Sequence, residues 1–238
     1  MYGLNAFAIV VFGCWNVLAY QLCKQPEATR RRALSILCAV LLGLNLLRYM
    51  VVYPLVQGEV RFPVEFSTVA YFVVPTVLLS GSKRLHSWAA YSGLMAGFFY
   101  YLTMILAGGK LYAASAPYDV YLSLFCHGTI YCYGFVVISE EAFAKSDRFK
   151  LMAGVGLVCL RAMILRRFVD GGERYLIYIL LDGTAVRTLL PVAAWHIALP
   201  IYYVLMVALV LLTMHGFLRR NHQQFRKFSK QKDVMQAA

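Results

Sequence analysis

The chain has 238 residues, of which 61% are hydrophobic and 14% charged. A soluble domain carries about 25% charged residues, so this composition excludes a soluble fold and describes one membrane domain. The net charge is +12, but the basic residues gather between apolar runs, a pattern of membrane orientation rather than nucleic-acid binding.

A hydrocarbon core of about 30 Å needs about 20 apolar helical residues. Apolar stretches at 3–22, 33–56, 63–80, 87–107, 118–139, 150–168 and 190–216 predict an all-α, polytopic bundle of seven transmembrane helices. Met1 to Asn5 carries no positive charge, and basic residues follow the first apolar run. That describes a first helix with a translocated N-terminus, not a cleavable signal peptide. On one side stand Lys24, Arg30, Arg31, Arg32, Lys83, Arg84, Lys145, Arg148, Lys150 and the tail from Arg219 to Lys232. The other side holds only Arg61, Lys110, Arg166, Arg167, Arg174 and Arg187. This imbalance places the N-terminus outside and the C-terminus in the cytoplasm. Residues 1–218 form the transmembrane domain. Residues 219–238 read as a basic cytoplasmic tail, without an apolar face long enough to pack, that touches anionic headgroups. Between the last two spans, Gly171-Gly172 and the short apolar run Tyr175 to Leu181 predict a re-entrant or interfacial segment.

Polar residues inside such spans are costly and draw attention. In the fifth helix Asp119, Ser123, His127 and Tyr131 recur every four residues, a stripe that must face protein or water. His127 lies near mid-membrane, either as a proton-transferring group or as a structural hydrogen-bonding one. The third helix opens with Pro63, a residue suited to a helix start, followed by Glu65, Ser67 and Thr68. Glu65 fits the positive end of the helix dipole. Arg48, late in the second helix, needs a partner or an interface, and Glu65 across a short loop is the expected one. Alternatively Arg48 holds a lipid phosphate or carboxylate with its forked donors. Arg161 has the same two readings.

The six cysteines form no CxxC pair and no Cys/His metal spacing, and they read as buried apolar residues. No metal or cofactor is expected. Gly108-Gly109-Lys110 lacks the rest of a phosphate loop, and the last helix carries no Lys for a retinal Schiff base.

In their order, these pieces resemble the YwaF family of bacterial integral membrane proteins, from the third helix to the end. That family opens its third helix with Pro, an apolar residue, His, an apolar residue and Cys; here stand Pro63, Val64, Glu65, Phe66 and Ser67. A Ser-His-Gly at the centre of the fifth helix corresponds to Cys126, His127 and Gly128. A Tyr-rich short segment and a Pro-led last helix correspond to Tyr175 to Leu181 and Pro191. The resemblance implies a bacterial cytoplasmic membrane protein. Eukaryotic relatives resemble lipid acyltransferases acting through the Cys, and the androgen-induced membrane proteins are a more distant analogy, lipid hydrolases with an intramembrane Thr and His. It also implies a nucleophile on the third helix and a His on the fifth, with Ser67 in place of Cys and Glu65 in place of His.

Three functions compete. The first is an intramembrane lipid acyltransferase or hydrolase with membrane lipid as substrate. In it Ser67 is the nucleophile and His127 the base. Arg48, Glu65, Thr68, Ser123 and Tyr131 line the substrate site, with Thr68 as an oxyanion donor. The second is a small-solute transporter or channel along Arg48, Glu65 and His127. The third is a non-catalytic lipid-binding scaffold. A dead-end cavity favours the first, and a path open to alternate sides the second.

Overall fold

The computed structural model describes residues 2–58, 61–111, 117–168 and 175–237, and all its regular elements there are helical. Nine α-helices follow in order among the described residues. They are α1 (Tyr2–Lys24), α2 (Glu27–Leu47), α3 (Phe66–Ser80), α4 (His86–Leu111), α5 (Pro117–Glu140), α6 (Asp147–Leu165), α7 (Leu176–Leu181), α8 (Thr184–Leu189) and α9 (Trp195–Ala237). Among the described residues, five helical stretches, containing α1, α2, α4, α5 and α9, are long and apolar enough to cross a membrane; α3 is apolar but only 15 residues long. These helices are compatible with an integral membrane protein.

The central helix is α5, whose apolar window is 78% buried, and α4 lies closest to it. Close backbone approach explains the pairing. A Cβ added at Gly93 would lie 2.4 Å from the Ile130 carbonyl oxygen, and one at Gly97 would lie 2.7 Å from that of His127. Gly93 and Gly97 are thus a small-xxx-small pair that lets α4 settle onto α5. Trp15 of α1 lies on Gly128 of α5, leaving no room for a Cβ there.

Several boundaries differ from the sequence expectation. The second helix begins at Glu27, not 33, so Arg30 to Arg32 are helical rather than a loop. Arg30 is buried, pairs with Glu140 and donates to the Gln25 carbonyl. The third helix begins at Phe66, so Pro63 precedes it and Glu65 is extended in the N-cap position. After Leu47 the second helix continues as a π-helix, Arg48–Val56, with Pro54 inside. Proline would collide with the carbonyl four residues back in an α-turn; the wider i→i+5 pattern relieves this. Gln57 N–H closes the stretch on the Val52 carbonyl at 3.0 Å.

The helix α9 runs unbroken through position 219 to Ala237. At 43 residues it is about 65 Å long. None of Trp195 to Leu212 is buried, whereas Met214, Phe217, Asn221, Gln224 and Phe228 are. Their alternating spacing of three and four residues is the seam of a packing helix. The expected tail without a packing face is therefore corrected: Phe228 joins Ala19, Leu22, Leu34 and Val136 in a small core and meets the Tyr20 ring at 5.9 Å. The expected non-spanning segment corresponds to α7 and α8, six residues each and too short to cross. Gly171, Gly172 and Arg174 lie outside the described residues.

Candidate functional site

A cavity of about 670 Å³ lies among the π-helical extension of α2, α3, α4, α5, α7 and α9. Six of the seven residues singled out in the sequence line it: Arg48, Glu65, Ser67, Thr68, Ser123 and His127. Tyr131 does not; its hydroxyl donates to Asn16 Oδ1 of α1 at 2.7 Å. Helical drift is the reason. Each four-residue step overshoots a turn by about 40°, so Asp119, Ser123, His127 and Tyr131 fan out toward different neighbours.

His127 is held on three sides. Its ring is stacked on Tyr100 of α4, with centroids 3.6 Å apart and planes 4° apart. Its Nδ1 lies 2.8 Å from the Ser123 carbonyl, so Nδ1 carries the hydrogen there and the network fixes the tautomer. Tyr71 Oη of α3 lies 3.0 Å from Nε2 and 2.7 Å from Nδ1, and with Nδ1–H committed it donates to Nε2. Ser123 thus contributes its backbone. Among the described residues Ser67 and His127, the expected nucleophile and base, share no direct hydrogen bond: Tyr71 occupies the imidazole instead. Ser67 lies one turn earlier, about 6 Å along α3, and faces the same cavity without a hydrogen-bond partner among the described residues.

The expected Arg48–Glu65 pair is also corrected. Arg48 Nη2 donates to Asp119 Oδ1 at 2.8 Å, in the first turn of α5, where the helix dipole favours a carboxylate. The π-helix places residues five apart near one another, and the Arg48 guanidinium lies 5.1 Å from the Tyr53 ring centre. Glu65 instead accepts from Ile177 N–H at 3.3 Å and so caps α7. Thr68 Oγ1 donates to the Glu65 carbonyl at 2.8 Å, which commits its proton and removes it as an oxyanion donor. Arg161 donates to the Pro63 carbonyl, and Tyr178 Oη to the Ala162 carbonyl at 2.9 Å, fastening α6 and α7 to the entrance of α3.

The cavity is polar at one end and apolar along its body. Arg48, Arg61, Tyr53 and Glu65 stand at the first end; Met95, Ala96 and Phe99 of α4 line the body. Tyr91 of α4 and Thr213 of α9 also line it, and their hydroxyls meet at 2.8 Å. Sequence reasoning missed Tyr71 and Tyr100 as partners of His127. Tyr71 had a signal, four residues beyond Ser67 on one face; Tyr100 had none. Comparisons with family models, curated proteins and solved structures give no match to this chain.

Proposed function

We propose that this chain is an integral membrane protein that takes a membrane amphiphile into the cavity, head toward Arg48 and tail along α4. The observation that carries this reading is one continuous cavity joining guanidinium groups to an apolar wall of Met95, Ala96 and Phe99. Such a pocket, mostly apolar with a few convergent polar groups, falls in the range of about 300–1,000 Å³ for small-molecule sites. A second pocket of about 220 Å³ shares no lining residue with it, which favours a dead-end site over a transport path. The reading includes seven spans with the N-terminus outside, and kinship to the YwaF family. Reporters fused at Ala238 and in the loop after Lys110 should report opposite compartments. Lipid extracted from protein purified in a mild detergent should contain a retained amphiphile, lost on Ala96→Phe. Equal retention by wild type and Ala96→Phe would overturn the binding reading.

A second reading is acyl transfer or hydrolysis, favoured by Ser67 facing this cavity with its hydroxyl uncommitted among the described residues. Ser67 Oγ would attack the ester carbonyl, its proton passing to His127 Nε2 once Tyr71 has moved aside or relayed it. The departing alcohol takes that proton, and water or an acceptor alcohol then releases the acyl group. Ser67→Ala should abolish release of fatty acid from a lipid ester while leaving binding intact; unchanged turnover would remove this reading.

A further inference from the structure

The cavity reaches the surface of the bundle in two places. One is its polar end, where Arg61 is exposed. The other lies along its body. There Phe99 and Thr103 of α4 and Leu176 and Leu180 of α7 line the cavity and are also exposed. These residues form a mouth, with α4 on one side and α7 on the other. Three of the four side chains are hydrocarbon: Phe99 is 46% exposed, Leu176 59% and Leu180 37%.

Depth decides what this mouth faces. Phe99 stands at the midpoint of the 26-residue α4, about 20 Å from either end. Half of a hydrocarbon core is about 15 Å, so a spanning α4 holds Phe99 near the centre of the bilayer. The opposite rim lies at hydrocarbon depth too. The Leu180 and Leu181 carbonyls at the end of α7 accept from the Tyr202 and Tyr203 hydroxyls at 3.0 and 2.9 Å. Those tyrosines lie two turns into α9, about 11 Å from its start. Within hydrocarbon, terminal carbonyls must find partners in the protein, and the two hydroxyls supply them. Glu65 and Tyr178 fasten α7 to α3 and α6, so this rim is a fixed frame. Behind the mouth the α4 wall runs from Thr103 to Tyr91, about 18 Å along the helix axis.

We propose that this mouth is a lateral portal to the bilayer. An acyl chain of a membrane lipid enters between Phe99 of α4 and Leu176 and Leu180 of α7, and lies along α4 as far as Tyr91. This rests on the amphiphile-binding reading above and adds the source and the route of the occupant. A chain that slips in sideways stays in apolar surroundings throughout, whereas one that passes end-on by Arg61 must first leave the hydrocarbon.

The test uses the full-length protein in phosphatidylcholine vesicles that hold a trace of phosphatidylcholine with a diazirine midway along one acyl chain. After irradiation, peptide mass spectrometry locates the adducts. Tyr91 reports on the cavity, because it lines it and is only 3% exposed. The exposed Val204, Leu205 and Leu212 of α9 report on the lipid-facing surface. Tyr91 should be labelled in the wild type. Leu180→Trp should narrow the portal and cut labelling of Tyr91 about tenfold. Phe99→Ala should widen the portal and raise that labelling. Labelling of α9 should stay the same in both, which also shows that both variants are folded in the bilayer. Equal labelling of Tyr91 in the wild type, Leu180→Trp and Phe99→Ala would overturn the portal, and the binding reading survives that result if Ala96→Phe abolishes the label. Both fall if Tyr91 stays unlabelled while α9 is labelled, or if Ala96→Phe leaves the label on Tyr91.

Discussion

The two ends of this bundle use similar residues to different effect. At the end near Glu140, polar groups are spent on one another. Arg30 pairs with Glu140, His86 Nδ1 lies 2.9 Å from Glu141, and Asn221 bridges α9 to α5. Asn221 takes Phe143 N–H at 2.8 Å and gives hydrogen bonds to the Ile138 and Glu141 carbonyls at 3.0 and 2.6 Å. At the end near Glu65, Arg48 has one carboxylate partner and donors to spare beside a large cavity. Satisfied polar networks rigidify a fold, whereas unspent donors lining a cavity are what a ligand can use. The first end reads as a clamp and the second as a site.

Breaking the clamp should therefore cost stability, and breaking the site should cost binding. The largest effect is expected at Arg30, whose side chain is 4% exposed. Arg30→Met removes a buried cation and one partner of the half-buried Glu140 carboxylate, and should destabilise by about 3–5 kcal/mol. Adding Glu140→Gln should recover much of this, read as the thermal midpoint in detergent. Asn221→Leu comes next. It strips three hydrogen bonds from a fully buried position and leaves a backbone N–H and two carbonyls to find water, at about 1 kcal/mol for each bond. Loss of about 3 kcal/mol by that count, with amphiphile binding retained in the folded fraction, would sharpen the contrast; unchanged stability would dissolve it.

Arg48 lies between the two classes. Its pair with Asp119 is partly exposed, at 16% and 29% of the side chains, so the charge pair itself is discounted for solvent screening. Arg48→Gln should cost about 1 kcal/mol or less in stability while weakening amphiphile binding strongly. Asp119→Asn should retain amphiphile binding or strengthen it, because it frees the guanidinium. If Arg48→Gln instead behaves like Arg30→Met, Arg48 belongs to the clamp.

Apolar run length and polar spacing made the helical membrane class readable in the sequence, together with six of the residues around the cavity. The pairings were not readable, for local reasons. The π-helix around Pro54 re-aims Arg48 toward Asp119, and no run-length argument reveals a changed helical period. Glu65 looked like the partner because it was near in sequence, yet an extended N-cap turned its carboxylate to α7. The face of α9 beyond Arg219 is seeded by Asn221 and Gln224, polar residues that an apolar count overlooks. Gly93 and Gly97 carry a readable signal, since their spacing alone marks a close helix contact.

The smallest expected effect tests the clamp by pH. His86 holds Glu141 by a side-chain hydrogen bond and, less strongly, by its charge, which together keep the Glu141 carboxyl below its ordinary range against the opposing effect of burial. A carboxyl depressed in the folded state adds stability above its unfolded pKa of about 4.3, and that contribution disappears as pH falls through the lower folded value. Glu141 is 40% exposed at its side chain, so the contribution is screened and amounts to about 1 kcal/mol or less. Between pH 7 and pH 3 the thermal midpoint of the wild type should fall more than that of Glu141→Gln, by a few degrees. The two midpoints should approach one another toward the acid end, as the wild-type carboxyl takes up its proton. Parallel pH profiles, with a constant offset between the two proteins, would mean that Glu141 is held by shape and not by its charge, and the clamp would then rest on Arg30 and Asn221 alone.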